Sequence, residues 1–176
     1  MPKNKKLIIL SMVILFVVVI IVGCISPYLQ LLYALKDYTN AITTGIPEGT
    51  RLTIYYKDPW DLTRMPVSIE SIKKYSSTTA IVVESEEIAN HLSTLTKLDA
   101  WGLTPFKGEY YTNARMYYVF EFGNDGRQLE VCINAWYESA CVNGVPVEYD
   151  SILLEIVIPF LTDDARAKFE FQQPPT

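Results

Sequence analysis

A chain of 176 residues with a formal net charge of −5 has room for one domain and little else. The charge is unevenly placed: every acidic residue follows Cys24, so the chain beyond it sets twelve basic residues against twenty acidic ones, a net −8. That balance argues against nucleic acid and anionic lipid headgroups as partners, since both are met by basic faces. A single histidine, with no close Cys-x-x-Cys pair, argues against a zinc site, and no motif calls for a cofactor.

The chain begins with Lys3, Lys5 and Lys6 and then runs from Leu7 to Val22 without a charge. A basic segment followed by an apolar one is the grammar of a secretory signal. The run ends on Ile21-Val22-Gly23-Cys24, which resembles the lipobox of bacterial lipoproteins, where small residues precede the cysteine. Val22 is bulkier than the usual residue at its position. The resemblance implies cleavage between Gly23 and Cys24, a diacylglycerol on the Cys24 sulfur, and a protein anchored by lipid to the outer face of the cell membrane. The competing reading is an uncleaved transmembrane helix, because the run approaches the ~20 residues that span a bilayer and Ser26-Pro27 disfavours further helix. In both readings the lysines stay inside and the domain lies outside the cytoplasm. The expected organisation is a signal peptide or span over 1–23, a tether or helix over 24–49, one globular domain over 50–171, and a loose tail over 172–176.

Between Pro27 and Ile42, Leu31, Leu32, Leu35, Tyr38 and Ile42 roughly follow helical spacing. Gly45 to Gly49 breaks the chain. Arg51 to Lys57 is rich in strand-forming residues, and Asp58-Pro59-Trp60-Asp61 marks a turn. Pro66 to Tyr75 reads as a strand or as a short helix starting at Ser68, and Thr78 to Val83 as a strand. Ser85 to Leu98 carries the clearest helical signal: Ser85 as N-cap, Glu86 and Glu87 in the first turn, and a core stripe of Ile88, Leu92, Leu95 and Leu98.

From Tyr110 the pattern is a meander. Met116 to Phe122 is one strand, reversed at Asn124-Asp125-Gly126. Gln128 to Ala135 alternates, with Leu129, Val131, Ile133 and Ala135 on one face and Gln128, Glu130, Cys132 and Asn134 on the other. After a turn near Tyr137 to Ser139, Ala140 to Val142 runs back to Asn143-Gly144, the strongest hairpin signal in the chain. Val145 to Tyr149 follows, with Pro146 pointing to an edge or a bulge. Asp150 caps an apolar helix over Ser151 to Ile158, for which a strand is the rival, and Thr162-Asp163-Asp164 opens a last helix to about Glu170. The expected fold is α+β: an antiparallel meander sheet packed against two helices, after an N-terminal anchor. LTIYYKDPWDLTRMPVS, the hairpin from Asn143 to Val147, and VIPFL at Val157 to Leu161 resemble small uncharacterised lipoproteins of Gram-positive bacteria. That resemblance implies no activity and no site.

Cys132 and Cys141 form an even pair in a compartment that permits oxidation. Their parity and nine-residue spacing put them on one face of neighbouring strands, which predicts a disulfide between them. His91 sits at the border of the apolar stripe without a visible nucleophile context. Among the carboxylates Asp58, Asp61, Glu109, Glu121, Glu138 and Glu148, a suitably spaced pair would suit glycoside hydrolysis. The tyrosines come as adjacent pairs, which in a strand places one in the core and its neighbour on the outer surface. With Trp60, Trp101 and Trp136 they suggest an exposed aromatic platform for a glycan or an envelope protein. The favoured function is an anchored extracytoplasmic binding module. The alternatives are an envelope hydrolase using paired carboxylates and a single-pass accessory subunit.

Overall fold

The computed structural model describes residues 3–58, 63–123 and 126–170, with the side chains of 3–10, 17, 20, 21, 24, 127 and 170 left outside the description. Helix α1 (Lys3–Ala34) passes through Pro27 and is followed by α2 (Lys36–Thr44). Between Ser11 and Ile25 the described apolar side chains of α1, such as Met12 and Phe16, are exposed. From Leu31 onward the chain enters the domain, where Leu31, Leu35, Tyr38, Ala41 and Ile42 are all buried in its core. Among the described residues no helix is long and apolar enough to cross a membrane.

The domain is α+β around one six-stranded antiparallel sheet. Its strands are β1 (Arg51–Tyr56), β2 (Thr79–Glu84), β3 (Ala114–Phe122), β4 (Arg127–Asn134), β5 (Ser139–Val142) and β6 (Val145–Glu148), ordered β2-β1-β3-β4-β5-β6. The alternation predicted for β4 is realised: Leu129, Val131 and Ile133 join the main core, while Cys132 and Asn134 point to the other side. Asn143 (φ 45°) and Gly144 (φ 80°) form the tight turn between β5 and β6. Pro146 lies on an edge strand, as expected, and that edge is partly covered: Phe106 N–H donates to the Pro146 carbonyl (3.1 Å) and Glu148 N–H to that of Thr104 (2.8 Å).

The helical layer is more fragmented than two helices. The stretch predicted as one helix from Ser85 to Leu98 is two, α4 (Ser85–Asn90) and α5 (Leu92–Leu95), divided at His91 (φ −109°, ψ 19°). The N-cap residue is Glu84, with Ser85 already inside the helix. The break re-aims the second piece: Ile88, Leu95 and Leu98 are buried, whereas Leu92 is only partly so. His91 fills the junction with its ring edge-on to Phe160 at 5.0 Å. Residues 151–158 hold only a short α6 (Ile152–Glu155), with Asp150 Oδ1 accepting from Ile152 N–H at 2.9 Å. A 3₁₀ turn (Ile158–Phe160) then leads to α7 (Asp163–Glu170).

The opposite face of the sheet is not open. The ambiguous stretch at Pro66 to Tyr75 forms a short helix, α3 (Ile69–Ile72), with Ser68 Oγ accepting from Ser71 N–H at 3.1 Å. It caps a second, smaller core of Val67, Ile72, Ala114, Tyr117, Cys132 and Cys141. Both members of the pair Tyr117–Tyr118 are therefore buried, against the expectation of one inside and one outside. Tyr118 donates to the Leu153 carbonyl (2.7 Å) in the main core, and Tyr117 donates to Glu130 Oε2 (2.8 Å) beneath α3.

Candidate functional site

Where β4 ends, the chain passes through a tight turn at Ala135–Tyr137 into β5. Trp136 (φ 64°) and Tyr137 (φ 52°) both occupy the left-handed region. Each such residue with a Cβ costs roughly 1–2 kcal/mol, and strain of this kind gathers at functional sites. Tyr137 is held by its ring contact with Tyr149 (4.7 Å between centroids) and by donation to the Phe169 carbonyl (3.3 Å). Trp136 projects outward and is 72% exposed, so the hydrophobic effect does not account for it.

Beside Trp136 lies a recess of about 210 Å³. Its walls are Phe106, Tyr111 and Trp136 on the aromatic side, and Glu109, Glu138, Asn113, Asn134 and Ser139 on the polar side, with Ala135 between. The polar wall is a braced scaffold. Asn134 Oδ1 accepts from Asn113 N–H (3.0 Å), while its Nδ2 donates to Ser139 Oγ (3.0 Å) and to the Tyr111 carbonyl (3.3 Å). Asn113 Oδ1 accepts from Val67 N–H (3.2 Å) and from Arg115 Nη1 (3.0 Å). The Arg115 guanidinium, buried at the bulge where β3 begins, also reaches toward Thr63 Oγ1 (3.4 Å) and the Ala114 carbonyl (3.2 Å), behind the recess. Gly108 lets the Phe106 ring close over the loop, because a Cβ there would stand 2.9 Å from that ring.

The sequence singled out several of these residues without grouping them. Trp136 stands on the recess, Trp101 is exposed in the turn after α5 and does not line it, and Trp60 lies outside the described residues. Of the carboxylates, Glu109 and Glu138 line the recess. Asp58 instead pairs with Lys168 at 3.2 Å, Glu121 and Glu148 are exposed elsewhere, and Asp61 lies outside the described residues. Tyr111 carried a signal as one member of an adjacent tyrosine pair, without a sign of which member faces out. Asn113, Asn134 and Phe106 carried none, since their roles depend on a tertiary turn. Among the described residues no group of three or more His, Cys, Asp or Glu converges on a metal-sized site.

The cysteines meet as their parity predicts. Cys132 and Cys141 are directly opposed on β4 and β5. The disulfide is not formed in the structure: both are buried free thiols. Burial, and then the neighbouring Cys141, pushes the Cys132 thiol up to about 12, and burial raises Cys141 as well. A thiol held protonated is a poor nucleophile, so this pair has the character of core filler. Cys24 lies within α1, with its side chain outside the description. No family model, no curated protein and no solved structure matches the chain.

Proposed function

We propose that this chain is an extracytoplasmic binding module, held at the outer face of the cell membrane by a lipid on Cys24, and that ligand is met in the Trp136 recess. The observation that carries the reading is the exposed indole on a strained turn beside a braced polar wall. The anchor is supported by the basic start, the apolar run and the exposed apolar side chains of α1.

Connectivity adds a direction. α1 reaches the domain at the β5–β6 hairpin, where Asn143 Nδ2 donates to the Ala34 carbonyl at 2.7 Å. The Trp136 turn is at the other end of β5, so the recess lies at the end of that strand away from the hairpin that meets α1. The competing hydrolase gains from having Glu109 and Glu138 on one recess. It loses because both are exposed, whereas a carboxyl acting as general acid is withdrawn from water.

The test is retention of fractionated envelope components by the full chain in detergent, wild type against Trp136→Ala. A component held by the wild type and released by the variant supports the reading. Equal retention by both contradicts it.

A further inference from the structure

The ligand class follows from what the recess leaves unsatisfied, and the inference rests on the recess being the ligand site. Three aromatic side chains, Phe106, Tyr111 and Trp136, and two carboxylates, Glu109 and Glu138, line it, and among the described residues no basic side chain does. The amide oxygens of Asn113 and Asn134 are already engaged by the scaffold. The strong acceptors left to a ligand are therefore the two carboxylates, and neither is ion-paired with any described lysine or arginine. The Arg115 guanidinium does not line the recess and is bonded to Asn113 Oδ1, Thr63 Oγ1 and the Ala114 carbonyl. The recess therefore offers a ligand two carboxylates without a basic partner beside three aromatic side chains.

We propose that the Trp136 recess binds an organic ammonium group, with Glu109 and Glu138 supplying countercharge and the aromatic faces supplying cation–π contact. Aromatic side chains beside anionic groups are the ordinary means of holding such cations. The size agrees: about 210 Å³ is below the roughly 300–1,000 Å³ of pockets that enclose a drug-sized molecule. The recess takes the charged tip of something larger. A quaternary headgroup and a primary alkylamine share this chemistry. A neutral sugar stacks and donates hydroxyls to the carboxylates, but makes no use of their charge.

The experiment is titration of the full chain in detergent with choline and with n-butylammonium, read by tryptophan fluorescence. 3,3-Dimethylbutanol, the neutral shape-mimic of choline, and N-acetylglucosamine serve as comparison probes. Saturable binding of either cation supports the proposal, provided that the neutral probes bind at least about ten-fold more weakly and that Glu109→Gln and Glu138→Gln each weaken the cation about ten-fold. Preference for choline assigns a quaternary headgroup, and preference for n-butylammonium a lysine-like amine. Both glutamates and Trp136 are exposed, so these variants keep the fold, as an unchanged melting curve will show. Neutral probes binding as tightly as choline, or glutamine variants without effect, overturn the ammonium proposal and leave the recess as a site. Silence of every probe, while an envelope component is still retained in a Trp136-dependent way, overturns the ammonium proposal alone. Retention that ignores Trp136→Ala is the separate failure of the site itself.

Discussion

Asn143 does two jobs at one position. Its backbone makes the hairpin turn that Asn-Gly announces, and its side chain ties three segments together. Oδ1 accepts from Glu130 N–H (2.6 Å), and Nδ2 donates to the carbonyls of Ala34 (2.7 Å) and Gln128 (3.2 Å). Asn143→Gly keeps the turn and deletes the ties. It should cost about 2 kcal/mol, since each net hydrogen bond contributes about 0.5–1.5 kcal/mol. Urea unfolding checks this, and a cost under about 0.5 kcal/mol would mean that turn geometry alone explains the residue. The cysteines give a second prediction at this scale. Burial holds Cys132 and Cys141 protonated, so the native chain should leave both unlabelled by Ellman's reagent, and denaturation without reductant should release both. A Cys24→Ala chain that releases none when denatured would establish the disulfide expected from the sequence.

At the scale of elements, patterning fixed what packs on one face and missed what depends on a second surface. The period of two in β4 was legible because Leu129, Val131 and Ile133 meet a thick core. The burial of Tyr117 was not, because α3 arrives from forty-odd residues earlier to cover that face. The helical stripe of 85–98 was legible as a set of apolar residues, yet the bend at His91, where the ring meets Phe160, was not, since that contact is distant in sequence. This bend makes two leucines unequal. Leu95→Ala should cost roughly 2–5 kcal/mol, the range for a fully buried leucine. Leu92→Ala should cost clearly less, because Leu92 is already partly in water. Thermal or urea unfolding of the two variants decides it, and equal costs would restore the single straight helix. The recess around Trp136 was hidden for a related reason: its turn uses left-handed Trp and Tyr residues, which no turn preference announces.

For the whole molecule, both cores are rich in tyrosine, and burial governs their titration. Tyr38, Tyr110, Tyr117, Tyr118, Tyr137 and Tyr149 are all pushed above the ordinary phenol range, with loss of water contact the leading cause. At Tyr117 the hydrogen bond to Glu130 adds to it. A pKa raised in the folded state means that the unfolded chain loses these protons first. Stability is therefore undiminished below pH about 10, the unfolded value, and falls as pH rises beyond it. Titration with base should show tyrosinate absorbance from the buried set rising together with loss of circular dichroism. Ionisation of that set well before unfolding would show that these phenols are reached by water in the native state.

Asn143 joins the hairpin to the end of α1, and β5 runs to that hairpin from the Trp136 turn, so the proposed anchoring puts Trp136 outside the cell. Trp136→Cys in the full chain, on intact cells, measures that placement directly with a membrane-impermeant maleimide. Labelling is expected without lysis, above the background of the unsubstituted chain. Labelling that appears only after the cells are opened would contradict it.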